Sequence, residues 1–386
     1  MASFKISAPG RIVLAGEHSA MYQKHFVLTS LDRRTKLTFR ELPRGWPVEI
    51  EFPDVNLQIT VPLEEVRGFL LEENQLNPNL RIIYVTSFIT FNGMWRTFAQ
   101  RFSLQMFFYL LYSIAVYENL DITSFHVHVT TNIPLDAGLG SSTSFAVCLA
   151  ACFLHWCRLQ SDYHENIEFN RIDFLMNVGV YVKDCEERMQ DYQCTQIDTD
   201  VCVFGFATKS LLTDDVEYSV EDWEEMARLK ILLIDSGIRQ EKCDQATKMR
   251  QLRSECLFTF DNILNELNDL SIKMYNWLNL LSINIWNAIL TEQEFYYENL
   301  QCCIKEIQVL LRSRGLSNEA FNRILEIAQN MGYSAKLTGF GPKYAYILLP
   351  PYITNNEIRE ISTQLRNENY LVISTSINCD GVRLEN

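Results

Sequence analysis

Positive charge is scarce in this chain: 34 lysines and arginines stand against 48 aspartates and glutamates, a net of −14. That balance excludes a general nucleic-acid binder, which needs a broad basic surface. The eleven cysteines include no CxxC pair, and zinc-ligand spacing is missing. Cys148, Cys152 and Cys157 fall in one helical stretch and read as buried thiols, which suits a reduced cytosolic protein. No apolar run reaches the length that spans a bilayer; the longest candidate, 145–156, is short, and His155 and Arg158 interrupt its end. The opening, MASFKISAPGRIVLAGEH, is too polar and too broken by Pro9 and Gly10 for a secretory leader. Repeats and low-complexity segments are also lacking.

What is present is the material of a packed enzyme-sized protein. Of 386 residues, 47% are apolar, enough for a sizeable core and for two domains. FKISA, RIVLAG, TKLTFR, VEIEFP and LQITVPL carry strand signals, the last two by alternation. FHVHVTTNIP alternates as well, placing Phe125, Val127 and Val129 on one face and His126 and His128 on the other. Residues 95–119, 142–160 and the FLMNVGVYVKDCEERM stretch read as helices, and VCVFGFAT as strand-like. The texture changes near 220, where an acidic stretch precedes the apolar strand LKILLIDS. Long helical patterns fill 240–332. Strands and helices mix without a regular βα alternation, so the fold class is α+β, with a domain boundary near residue 227.

One short stretch stands out: PLDAGLGSSTSF, residues 134–145, directly before the small-residue run AVCLAAC. The first N–H groups of a helix lack internal partners and carry partial positive charge. Gly138 and Gly140 remove side chains that would keep an anion away, and Ser141 or Ser142 can cap the helix. The loop is therefore either a phosphate cradle or a plain turn with an N-cap. It is not a Walker loop, because no lysine follows the glycines. A second segment, SAPGRIVLAGEHSAMYQK, brings a cation (Arg11), a carboxylate (Glu17) and an imidazole (His18) to the two ends of one apolar strand. By itself it reads more often as a solvated loop.

Taken together, these segments resemble the motifs of the GHMP small-molecule kinases. SAPGRIVLAGEHSAMYQKHFVL is similar to the family's first motif, IPLDAGLGSSTSFAVCLAA to the second, and AKLTGFGPKYAYILL in part to the third. CEERMQDYQCTQID, ILLIDSGIRQ and TSINCDGVRL extend the match, in the family's order, to its mevalonate-phosphorylating branch. The resemblance implies a ribosomal-protein-S5-like N-terminal domain over 1–226, to which the strand in 372–386 returns. It implies a ferredoxin-like C-terminal domain over 227–371, with the active site in the cleft between the two. It implies ATP-dependent phosphorylation of the primary hydroxyl of mevalonate, with Mg²⁺, in isoprenoid precursor synthesis. It further implies a cytoplasmic homodimer, subject to feedback by prenyl diphosphates. By the same resemblance Asp198 of CTQID lies beside the acceptor hydroxyl with Arg11 next to it. Glu187, eleven residues earlier, and Ser142 hold the metal. Ala137, Gly138, Leu139, Gly140, Ser141 and Ser142 grip the phosphates. Glu17, His18 and Arg239 face the acceptor, Arg239 at its carboxylate.

The departures are specific. Arg11 stands where the family usually has lysine, exchanging a point charge for a planar fork. Asp136 replaces a glycine beside the loop. CTQ replaces the usual run before Asp198. Pro342, Lys343 and Tyr344 replace glycines of the third motif, leaving Lys343 either against a phosphate or in water. Two other readings stay open: a different GHMP kinase, acting on phosphomevalonate or a sugar, and a non-catalytic ATP-binding regulator. The acidic residue that follows GEH in galactokinases is missing from GEHSAMY, which counts against a galactose acceptor.

Overall fold

The structure is a computed structural model that describes residues 1–385 apart from 21, 72–76, 136, 161–168, 190–195, 212–224, 238–241 and 340–342. The chain opens with β1 (Ser3–Ala15), a short α1 (Glu17–Ala20) and the long β2 (His25–Glu41). β3 (Val48–Phe52) and β4 (Leu57–Val61) form a hairpin around a 3₁₀ turn at Pro53–Val55. Helices α2 (Leu63–Leu71), α3 (Pro78–Phe91) and α4 (Phe98–Glu118) precede β5 (Phe125–Thr131). Then come α5 (Ser141–Gln160), α6 (Ile172–Met189), α7 (Gln196–Phe204) and β6 (Ala207–Leu211). The second half holds β7 (Leu229–Asp235), α8 (Lys242–Glu255), α9 (Leu257–Trp286), α10 (Leu290–Ser313) and α11 (Ala320–Asn330). It closes with β8 (Ala335–Leu337), β9 (Tyr344–Leu348), α12 (Asn355–Asn367), β10 (Leu371–Ile377) and β11 (Arg383–Glu385).

The described strands join in one mixed sheet whose main path runs β4-β3-β5-β2-β10-β7-β9-β8, with β1 and β6 both paired to β2. The C-terminal segment divides its pairing. β10 lies mainly against β7 of the second half, while β11 returns to β1. Buried Arg34 fastens this return by donating to Ser7 Oγ and to the carbonyls of Asp380 and Gly381, at 2.6–2.9 Å.

β1 positions everything that follows, because it crosses from one core to the other. Ile6 and Ala8 belong to the aromatic-rich core of the first half, with Phe39, Phe107, Phe125 and Trp156. Ile12, Leu14 and Ala15 belong to a second core, with Leu229, Ile231 and Leu233 of β7 and Tyr346 of β9. The sequence reads Pro9-Gly10 as a turn between two strands. The structure instead has one thirteen-residue strand with a bulge there: Pro9 faces Arg34 and Gly10 faces Leu31, so Asp32 and Arg33 are the extra residues on β2. A bulge tolerates proline, which has no N–H to give the ladder.

α5 is long and apolar enough to cross a bilayer by length and composition, contrary to the reading of the bare sequence, but 67% of its apolar window is buried inside the fold. Its small residues explain this. Ala146, Cys148, Ala150, Ala151 and Cys152 are fully buried and let α5 sit close to α4, α6 and the sheet. VCVFGFAT divides differently from its strand-like reading. Val201–Phe204 end α7, and the strand begins only at Ala207. Burial of Val201, Cys202 and Val203 against the core overrides the weak strand preference of the β-branched residues.

Candidate active site

Where β1 passes from one core to the other, Arg11 meets the 137–140 loop and the first turn of α7. Its Nε lies 2.6 Å from Asp198 Oδ1, and Nη2 donates to Oδ2 at 3.2 Å. The third arm, Nη1, donates to the Gly138 carbonyl at 3.0 Å. The backbone N–H of Arg11 donates to the Leu139 carbonyl at 2.9 Å. One residue thus ties strand, loop and helix together, using the planar fork that a lysine lacks.

Two glycines make this contact fit. A Cβ on Gly10 would stand 2.7 Å from the Leu139 carbonyl oxygen. A Cβ on Gly140, whose φ is +78°, would stand 2.6 Å from Arg11 Cγ. The loop is held from beneath by Ala137 and Leu139, which are buried in the second core. α5 begins immediately after it, at Ser141.

A cavity of about 470 Å³ opens beside the loop. Arg11, Asp198, Gly138, Ser141, Ser142 and Thr143 line one end. Phe52, Phe98, Phe102, Met106 and Phe145 supply an aromatic and apolar part of its wall. The shape is a polar, anion-suited end joined to an aromatic slot, the combination that suits a phosphorylated planar ring.

The residues proposed for the site from the sequence do not all converge here. Ala137 and Leu139 anchor the loop, while Gly138, Gly140, Ser141 and Ser142 line the cavity with Arg11 and Asp198. Glu187 does not: it is exposed, and it is absent from the cavity wall. Its neighbour Glu186 is the fully buried carboxylate, accepting from Thr143 Oγ1 at 2.8 Å. Helix phase accounts for the difference. Phe174, Val178, Val182, Cys185 and Glu186 form the buried stripe of α6, and Glu187 is off it. The spacing to Asp198 pointed to Glu187; the apolar periodicity, legible in the sequence, points to Glu186.

Glu17 and His18 are both buried on α1, and neither lines this cavity. The Glu17 carboxylate is engaged by Lys336 at 2.5 Å, a partner 319 residues away. His18 Nδ1 lies 3.8 Å from the same Glu17 oxygen. Arg239, Asp136 and Pro342 lie outside the described residues. Lys343 points neither to a phosphate nor simply into water: its Nζ is 3.4 Å from the buried Asp235 carboxylate at the end of β7. Its carbonyl accepts from both the N–H and the hydroxyl of Ser236. Tyr344 is buried in β9. The aromatic slot, Glu186 with Thr143, and Lys336 are absent from the motif-based reading.

Comparison with known proteins agrees with this geometry. Residues 108–175 match the family model described as GHMP kinases N terminal domain. The structure is similar to that of Methanococcus jannaschii mevalonate kinase, with a TM-score of 0.65 and 16% identity, covering 100% of this chain and 99% of that one. The chain has the GHMP kinase fold. It is also similar to the mevalonate kinase of Candida albicans, at 23% identity over 403 residues, 98% of this chain and 89% of that protein. Leishmania major mevalonate kinase, solved in complex with R-mevalonate, superposes with a TM-score of 0.59 at 12% identity, covering 98% and 96% of the two chains. The family model covers loop 137–143 and the start of α5, whereas Arg11, Phe52, Phe98, Phe102, Met106 and Asp198 of the cavity wall lie outside it.

Proposed function

We propose that this chain transfers the terminal phosphoryl group of ATP to the primary hydroxyl of mevalonate, giving 5-phosphomevalonate and ADP. The observation that carries the reading is the Arg11–Asp198 pair at the polar mouth of the loop-floored cavity. The near-full-length likeness to mevalonate kinases selects the acceptor.

Phosphoryl transfer asks a protein for alignment and charge neutralisation more than for covalent chemistry. The loop and the α5 N-terminus are suited to hold the phosphate chain through backbone N–H groups. The aromatic slot takes the base. Asp198 accepts a hydrogen bond from the acceptor hydroxyl and receives its proton late, because a carboxylate is far too weak a base to ionise an alcohol beforehand. Arg11 lies against both Asp198 oxygens and faces the charge that develops on the moving group. Among the described residues, the Ser142 and Thr143 hydroxyls line the cavity beside the loop and the Glu186 carboxylate lies behind Thr143, all oxygen donors. That set fits Mg²⁺, which when bound would neutralise charge on the terminal phosphates. Glu186, which accepts from Thr143 behind the cavity wall, is the carboxylate tied to the loop, whereas Glu187 is exposed.

A coupled assay with Mg-ATP and four acceptors tests the reading. Mevalonate should support turnover, and phosphomevalonate, galactose and homoserine should not. Turnover with another acceptor alone, or nucleotide binding with no turnover on any, would overturn it.

A further inference from the structure

Arg11 and Asp198 come from different elements, β1 and α7, and one buried turn from elsewhere in the chain touches the supports of both. Ser30 of β2 is the residue paired with Arg11. Its hydroxyl donates to the Cys379 carbonyl at 2.7 Å and accepts from the Cys379 N–H at 2.8 Å, across 349 positions of sequence. Its own carbonyl accepts from the Asn378 N–H at 3.2 Å, and its N–H donates to the Phe206 carbonyl, just past α7, at 3.0 Å. The Phe206 N–H in turn donates to the Cys379 carbonyl at 3.0 Å. The Val382 N–H donates to the carbonyl of Val203, on the last turn of α7, at 3.0 Å.

Ser30, Asn378 and Cys379 are fully buried. A buried polar group left unpaired costs more than its bond contributes, so the turn 378–382 has one favourable seat against β2 and α7. Gly381 sets how deep it sits: a Cβ there would run into the Val203 carbonyl. Arg34 also holds the turn, through the carbonyls of Asp380 and Gly381. α7 has nine residues, a rod about 13 Å long, with Asp198 on its first turn and Val203 on its last. Fixing the last turn therefore fixes where the first turn places Asp198.

We propose that Ser30 and Gly381 are positioning residues for the Arg11–Asp198 pair. Ser30 ties the strand pair that carries Arg11 to the turn 378–382, and Gly381 seats the helix that carries Asp198 on the same turn. The 2.6 Å contact between them is thus set from one place, a turn that neither residue belongs to. This deepens the reading given above and rests on it for the reaction that the pair serves. Ser30, Cys379 and Gly381 do not line the cavity beside the phosphate loop, so the effect falls on turnover and not on nucleotide binding.

The experiment compares wild type, Ser30→Ala and Gly381→Ala, and repeats both substitutions in an Asp198→Asn background. Three readouts are taken: kcat with mevalonate and Mg-ATP, Kd for a fluorescent ATP analogue, and the Arg11–Asp198 contact in crystals of each variant. Each single variant should lower kcat by about 10–100-fold, the loss expected of a reacting group misplaced by about 1 Å. The analogue Kd should stay within about twofold of wild type, and the contact should lengthen beyond hydrogen-bond reach. On Asp198→Asn the same substitutions should lower the residual kcat no further, because they act through that carboxylate. Ser30→Ala deletes a single oxygen, so it supplies the answer if Gly381→Ala does not fold. A kcat loss of equal size in both backgrounds would overturn the proposal, as would an intact contact or a parallel loss of analogue affinity. Should the wild type fail to use mevalonate at all, the functional reading falls. The crystallographic contact then decides the positioning role alone: broken, it stands; intact, it fails.

Discussion

Arg11 and Glu17 stand six residues apart on one continuous segment, and each faces an opposite charge from a distant part of the chain. The two pairs have similar lengths, 2.6 Å and 2.5 Å, but opposite surroundings. Arg11 and Asp198 keep 17% and 20% of their side-chain surface open, at the wall of a cavity. Lys336 and Glu17 keep 0% and 2%. A pair at a cavity wall leaves its oxygens within reach of a ligand, whereas a sealed pair is unreachable and becomes structural. On a strand that runs from one core to the other, depth alone separates a pair suited to chemistry from a pair suited to holding the frame.

The sharpest way to break that contrast is kinetic. Asp198→Asn keeps the shape and one hydrogen bond to Arg11 but removes the proton acceptor. It should lower turnover by about 10²–10⁴-fold while leaving ATP-analogue binding and the melting temperature near wild type. A large stability loss instead would place the open pair with the sealed one. The converse is thermodynamic. Lys336→Met strands a buried carboxylate and should cost about 3–5 kcal/mol in denaturant unfolding. Arg11→Gln, at the pair open to the cavity, should cost less than that, because the cavity leaves Asp198 within reach of water. Equal costs would end the comparison.

His155 offers a third case: a buried titratable group with no counter-charge against it among the described residues. Its ring is wedged edge-on against Phe4 and Phe169, and burial, helped by Arg158, pushes its pKa down to about 4. The unfolded chain takes up a proton near 6.5 that the native state refuses until about pH 4. Between those values the unfolded state binds more protons, so stability is full above about 6.5 and falls as pH drops toward 4. The loss approaches roughly 3 kcal/mol at the acid end, at about 1.4 kcal/mol per pH unit. Urea titrations at several pH values should show the stability of wild type minus that of His155→Leu fall with this slope from about 6.5 to 4, the variant cancelling oppositely titrating groups such as Asp200.

Much of this was legible in the residues, and the parts that were not have physical causes. Alternation located β3, β4 and β5 because each buries one face. The glycines at 138 and 140 marked the loop because its backbone requires them: both have positive φ, and Gly140 has Arg11 against it. Arg11 and Asp198 were named, and the structure places them in contact. The Lys336–Glu17 pair was not legible, because nothing local at residue 336 shows that a partner 319 positions away will close over it. The aromatic slot was hidden for a similar reason. Phe52, Phe98 and Phe145 come from separate elements, and each reads alone as core. The bulge at Pro9-Gly10 was mistaken for a turn because proline and glycine mark both, and only pairing distinguishes them.

The smallest expected effect concerns one residue of register on α6. Glu186 lies on the buried stripe with Thr143 against it, and Glu187 faces outward. If the metal-holding carboxylate is the one turned toward the loop, Glu186→Gln should raise the Mg²⁺ needed for half-maximal ATP-analogue binding by about 10–100-fold, the size seen when a group supporting a metal is lost. Gln keeps the volume and still accepts from Thr143, so the fold should hold and the change should be confined to the metal. Glu187→Gln should leave the Mg²⁺ requirement at the wild-type value, because its exposed side chain, unlike that of Glu186, has no bond to the loop's Thr143. The reverse pattern would mean that spacing from Asp198 outranks helix phase. It would also remove Glu186 from the set of buried groups whose charge is put to use.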